Sequence, residues 1–177
     1  MTRIDKLANG ITIVMETMPY LKSASFGVWV RAGSVNEDES NNGIAHMIEH
    51  MLFKGTKNRS AKQIADEMAK IGGNINAFTS KECTSYYATT LSEHLPMAIR
   101  IIGDMVNNSL IDENALKKEK KVIVEEIDMY QDSPEDFAHE KLQQRIWKGH
   151  PLGYIISGRK SIVRKIYRDQ ILEFMDK

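Results

Sequence analysis

Hydrophobic and polar positions alternate at the start of the chain. The runs TRIDKL (2–7) and ITIVMETM (11–18) are separated by ANG, and SASFGVWVRAGS (23–34) alternates through Phe26, Val28 and Val30. A period of two broken by turn residues predicts strands, the first two joined by a tight turn. The period then changes. GIAHMIEHMLFKGT (43–56) carries apolar residues in every direction around a helical axis, which predicts a helix buried nearly all round. In SAKQIADEMAKIGG, Ser60 is placed to cap a helix that Gly72 and Gly73 would stop. NINAFTS and TSYYATTL return to strand spacing around a short turn at Lys81 and Glu82.

Helical spacing fills the remainder. LPMAIRIIGDMVNNS is followed by DENALKKEKKVIVEEIDMYQ with Asp112 as cap, then by SPEDFAHEKLQQRIWKG with Ser133 as cap and Pro134 in the first turn. HPLGYIISG reads as an irregular loop, and SIVRKIYRDQILEFMDK as two short helical pieces. With no internal repeat or linker, the pattern predicts one α+β domain over residues 1–177, a mostly antiparallel sheet with helices packed on one face. Stopping on a helix with no strand after it predicts a chain cut from something longer.

Composition narrows the function classes. Lys plus Arg equals Asp plus Glu at 24 each, so no global basic field invites nucleic acid or an acidic membrane surface. No run approaches the ~18 apolar residues of a membrane span, and no basic start precedes an apolar stretch. The expected setting is soluble and cytoplasmic. Cys83 is the only cysteine, which excludes an internal disulfide or a multi-cysteine metal site and reads as a small strand residue.

Against this background His46, Glu49 and His50 stand out. At about 100° per residue they leave the helix within one arc of about 100°. Two histidines at i and i+4 can aim nitrogen lone pairs at one metal ion, and the glutamate between them can reach a water there. Core histidines satisfied by backbone carbonyls are the bland alternative. It leaves a carboxylate buried beside them without a cation, and Lys54 falls outside the arc. A second helix supplies more acid. In LKKEKKVIVEEIDMYQ, Glu119 and Glu126 lie on the apolar stripe with Val122, Ile123, Ile127 and Tyr130, while Glu125 and the lysines face solvent. Glu126 is then the third ligand beside His46 and His50, and Glu119 a hydrogen-bonding partner of a ligand histidine. Two imidazoles and a carboxylate favour Zn²⁺, with Mn²⁺ and Fe²⁺ open on ligand type.

HMIEH, with a glutamate about 75 residues downstream in an E-x6-E helix, resembles the pitrilysin and insulinase type of inverted zinc metallopeptidase. The blocks LANGITIV, GVWVRAGSVNE, GGNINAFTSKECTSYYATTL, EKKVIVEEIDMYQDSPED and HPLGYIISG extend the resemblance along nearly the whole chain, closest to the bacterial branch similar to mitochondrial processing peptidase. The resemblance implies the N-terminal catalytic half of a clamshell, truncated before its last strand and helix. It implies zinc-dependent cleavage of extended or unfolded peptides, with Glu49 as general base and Glu119 orienting the ligands. Asn76, Ala77 and Phe78 would lie along a peptide substrate added as a strand, and the partner would be a homologous C-terminal half or second subunit. The competing readings are a non-catalytic half that binds peptide, and another metal-dependent hydrolase, which lacks support from any Gly-rich phosphate loop. His94, His139 and His150 read as structural or exposed.

Overall fold

Two antiparallel sheets form from the alternating runs in the computed structural model, which describes residues 2–176. Strands β1 (Thr2–Lys6) and β2 (Thr12–Glu16) pair as a hairpin with Ile4 opposite Val14. Strands β3 (Ser23–Val30), β4 (Asn74–Thr79) and β5 (Thr84–Leu91) form a second sheet in the order β3-β5-β4. Val28 and Ala77 both stand opposite Tyr86 of the central strand. Because side chains alternate across a strand, Phe26, Val28, Ile75, Ala77, Tyr86 and Ala88 share the face that meets the core. Trp29, Phe78 and Tyr87 are exposed on the other, with the Trp29 and Phe78 rings edge to face at 5.5 Å.

Among the described residues seven α-helices follow or interrupt the strands: α1 (Ile44–Leu52), α2 (Ala61–Lys70), α3 (Leu95–Asn108), α4 (Glu113–Asp132), α5 (Pro134–Ile146), α6 (Lys160–Val163) and α7 (Arg168–Met175). Caps stand where the sequence places them. Ser60 accepts from Gln63 N–H, Asp112 from Ala115 N–H, and Ser133 from Asp136 N–H. Met47, Met51, Ile101, Ile102, Met105, Ile123 and Ile166 are fully buried in one core, with α1 and α3 against the sheet and α4 against α1. This is an α+β fold with antiparallel sheets and helices against one face of the larger one.

Two expectations are corrected, and the first hairpin is more exposed than most of the fold. The run 43–56 is not helical throughout: α1 ends at Leu52, and Gly55 turns the chain at φ +117°, a conformation that only glycine adopts freely. The following segment is held against α3 by Thr56 Oγ1 donating to Asp104 at 2.6 Å. The strands predicted for β1 and β2 form, with Ile4 and Val14 68% and 65% exposed. The hairpin pairs only with itself among the described residues, so no second layer covers it. Cys83 lies in the turn between β4 and β5, half-buried, where its carbonyl accepts from Ser80 N–H.

Candidate metal centre

Helix α1 is fixed at its start by a glycine and a distant acid. Gly43 has φ +98°, and a Cβ there would stand 2.8 Å from Gly158 Cα, so the loop 150–158 can close onto it only because both residues lack side chains. Glu37 accepts from Gly43 N–H, Ala45 N–H and Asn42 Nδ2 at 2.8–2.9 Å, satisfying first-turn donors that a helix cannot satisfy itself. Burial pushes the Glu37 carboxyl up to about 7 against these donors. Asn42 Nδ2 also donates to Ile155 O at 2.9 Å, tying the loop to the helix.

From this start α1 turns His46, Glu49 and His50 toward α4. His46 Nε2 lies 3.7 Å from Glu126 Oε1, and His50 Nε2 3.5 Å from Glu126 Oε2. The imidazole rings are 4.7 Å apart at 73°. One ligand atom from each of the three residues falls within 4.8 Å of the others. Bonds of ~2.0–2.1 Å in a tetrahedral shell would set donors about 3.3 Å apart, so the spacing and donor set fit a zinc ion. Glu119, 6% exposed, receives His50 Nδ1 at 3.1 Å on one oxygen and Lys54 Nζ at 2.8 Å on the other. With Nδ1 turned to Glu119, Nε2 is the His50 nitrogen that faces Glu126. His46 Nδ1 is buried without a partner.

The electrostatics are those of a cluster short of positive charge. Burial, and next His50, pull His46 down to about 4 despite Glu126, keeping it neutral. Burial also works against a charge on His50, but Glu126 and Glu119 outweigh it and raise the imidazole above its ordinary value. Contact with His50 lowers Glu126. The neighbouring carboxylates thus favour a positive charge at His50. Glu49 is raised, chiefly by burial, although Thr79 Oγ1 donates to its Oε2 at 2.5 Å.

The structure therefore brings His46, Glu49, His50, Glu119 and Glu126 into one cluster, and Glu125 faces solvent. The apolar stripe of α4 is narrower than its angles predict. Leu116, Glu119, Ile123 and Ile127 are buried, whereas Val122 and Tyr130 are 44% and 47% exposed. Beyond that stripe α4 borders an open cavity rather than packed core. Lys54, beyond the end of α1, escapes the helical angles and reaches Glu119.

Asn76, Ala77 and Phe78 lie on β4, an edge strand among the described residues. Ala77 faces α1, and Asn76 turns its Oδ1 back to Ala77 N–H at 2.9 Å. A cavity of about 440 Å³ opens beside them, lined by His46, Glu49, Ala77, Phe78, Thr79, Lys81, Glu126 and Tyr130, with Asp136, His139 and Glu140 of α5 and residues 155–157 across from them. His139 is exposed at its rim, while His94 and His150 lie outside the lining. Sequence reasoning did not single out Thr79, Lys81, Asp136, Glu140 or the reach of Lys54. Thr79 carried a signal, since it shares strand parity with Ala77. The α5 residues carried none, because no residue of that helix is buried.

The chain is an α+β domain whose buried helix aims two histidines at a glutamate of a neighbouring helix, a group that could hold a metal ion. The insulinase family, peptidase family M16, matches residues 12–160, and the chain belongs to it. It is 46% identical over 167 residues to an uncharacterized zinc protease of Bacillus subtilis, aligning 94% of this chain with 41% of that protein. It is 39% identical over 176 residues to mitochondrial-processing peptidase subunit beta of Saccharomyces cerevisiae, covering 99% of this chain and 38% of that one. The chain thus spans about two fifths of the length of these curated relatives. The crystal structure of a protease from Helicobacter pylori superposes with TM-score 0.93 at 25% identity, over 99% of this chain and 42% of that chain. An M16 inactive domain from Pseudomonas fluorescens gives TM-score 0.90 at 17% identity, over 99% and 43%, a likeness of fold alone. No described helix is long and apolar enough to cross a membrane.

Proposed function

We propose that the chain is the metal-bearing half of a zinc-dependent endopeptidase that acts on extended peptides. The observation that carries this reading is the convergence of His46 Nε2, His50 Nε2 and Glu126 beside a base held apart from them. His46, His50 and Glu126 would hold the zinc ion, which supplies, when bound, Lewis acidity toward a water and a peptide carbonyl.

The remaining work falls to the chain's own residues. Glu49, raised by burial, is suited to take a proton from a water in the cavity and return it to the leaving nitrogen. Thr79 restrains Glu49 Oε2 and couples it to β4. A peptide pairing along Asn76, Ala77 and Phe78 would displace the Asn76 side chain from Ala77 N–H and take that donor. Asp136 and Glu140 give the far wall a negative character, against which Lys81 is the cation of the lining. The two-fifths share of the relatives' length favours a partner half or second subunit that closes the cavity.

The test is bound zinc together with turnover of a fluorogenic peptide, with and without a homologous C-terminal half. Stoichiometric zinc is expected, with activity falling about 10²–10⁴-fold in Glu49→Gln while zinc is retained. Activity surviving in Glu49→Gln would remove the assigned base. Zinc uptake without turnover in any assembly would favour a non-catalytic peptide-binding half.

A further inference from the structure

Lys54 is built into the cluster rather than decorating it. Its backbone N–H donates to Met51 O at 3.0 Å, so it closes the final turn of α1. The next residues are fastened to the end of α3: Leu110 N–H donates to Gly55 O at 3.1 Å, Lys57 N–H to Asn108 O at 2.9 Å, and Thr56 Oγ1 to Asp104. From this fixed stem Lys54 Nζ reaches Glu119 Oε1 at 2.8 Å, while Glu119 Oε2 stands 3.1 Å from His50 Nδ1. Both oxygens of a buried carboxylate are thereby engaged, one by the ammonium and one by a ligand imidazole.

Charge counting points the same way. Glu49, Glu119 and Glu126 would bring three negative charges into one half-buried cluster, and a divalent ion offsets two of them. Lys54 supplies the third positive charge at Glu119, the carboxylate farthest inside the protein and least able to be hydrated. A hydrogen bond to a ligand histidine fixes ring orientation only if the carboxylate making it is itself fixed.

We propose that Lys54 is a positioning residue of the metal centre: by pinning Glu119 it sets the orientation of His50 and tightens metal binding. This rests on the zinc reading above. It is tested by competition titration of zinc into the full chain and its variants, paired with thermal melting of each metal-free protein. Lys54→Met is expected to weaken zinc affinity about tenfold, and Lys54→Arg, which keeps a cationic donor, to restore most of it. Glu119→Gln combined with Lys54→Met is expected to bind no more weakly than Glu119→Gln alone, because Lys54 acts through Glu119. The visible absorption of the cobalt-substituted chain should change in Lys54→Met and return toward the parent spectrum in Lys54→Arg. Unchanged affinity and spectrum in Lys54→Met, even with a lowered melting temperature, would overturn the positioning role and leave the zinc site standing. A parent chain that takes up no zinc would overturn both.

Discussion

Two clusters of buried acid occupy the same small core and are finished differently. Asp104 on α3 accepts from Thr56 Oγ1, Asn58 Nδ2, Arg59 Nη1 and Asn108 Nδ2 at 2.6–2.8 Å. Its charge and its lone pairs are met by the protein. At the other cluster Glu126 faces two histidine Nε2 atoms at 3.7 and 3.5 Å, beyond the distance of a strong charged hydrogen bond. There a carboxylate and two imidazole nitrogens converge on one point without a short bond between them. The first arrangement is a latch that fastens residues 56–59 to α3; the second is a socket whose donor set suits a cation.

That contrast predicts opposite responses to deletion. Asp104→Ala leaves three neutral donors without their acceptor and Arg59 with Glu67 alone, and should cost about 3 kcal/mol of folding stability, with zinc stoichiometry unchanged. Glu126→Ala in chelator should cost less than about 1 kcal/mol, since Glu126 is half-exposed and its ion pair with His50 is screened, yet it should abolish tight zinc binding. Urea unfolding in chelator measures both. Equal costs would erase the distinction between latch and socket.

Acid should take the two clusters apart in order. Zinc competes with a proton for His50, whose affinity for it is raised above the ordinary 6.5, so metal affinity should fall about tenfold per pH unit below about 6.5. The Asp104 carboxyl loses by burial but gains more from Thr56, Asn58, Arg59 and Asn108, and sits well below its ordinary 3.8. Its contribution to stability is therefore full above the unfolded value and is lost as pH falls below about 4 toward the folded one. Zinc release followed by dye competition should precede the acid unfolding seen by circular dichroism. Simultaneous loss would show that the socket is held by the fold as a whole rather than by its own protonation.

Much of the socket was legible because helices repeat. Spacing within α1 and α4 put His46, His50, Glu49, Glu119 and Glu126 on inward faces without knowledge of how the helices cross. The latch was not legible, because Asp104 meets residues more than forty positions away through side chains with no periodic signature. Lys54 was misjudged for a related reason: angular reasoning presumes that the helix continues, and α1 stops at Leu52. The hairpin β1–β2 marks a third limit. Its alternation encodes a strand with one apolar face, but alternation does not say whether another layer covers it. The α5 wall of the cavity gave no signal because its residues are fixed by what α4 and the loop 150–158 leave open.

Thr79 gives the smallest effect and the finest division between the clusters. Its hydroxyl donates to Glu49 Oε2 at 2.5 Å from the end of β4, so it restrains the proposed base without offering a ligand to the metal. Thr79→Val keeps the shape and removes the donor. A hydrogen bond to a charged group contributes about 1.5–3 kcal/mol, and because Glu49 is half-buried, water can replace part of it. Turnover should therefore fall about tenfold, near the lower bound of that range, mainly in kcat. Zinc affinity should hold, and Thr79→Ser should recover most of the rate. The comparison needs the assembly with a C-terminal half, if that is where activity resides. If Thr79→Val instead lost zinc in step with activity, Thr79 would be fastening the socket as Asp104 fastens the loop. Strand β4 would then belong to the scaffold of the metal centre rather than to the positioning of its base.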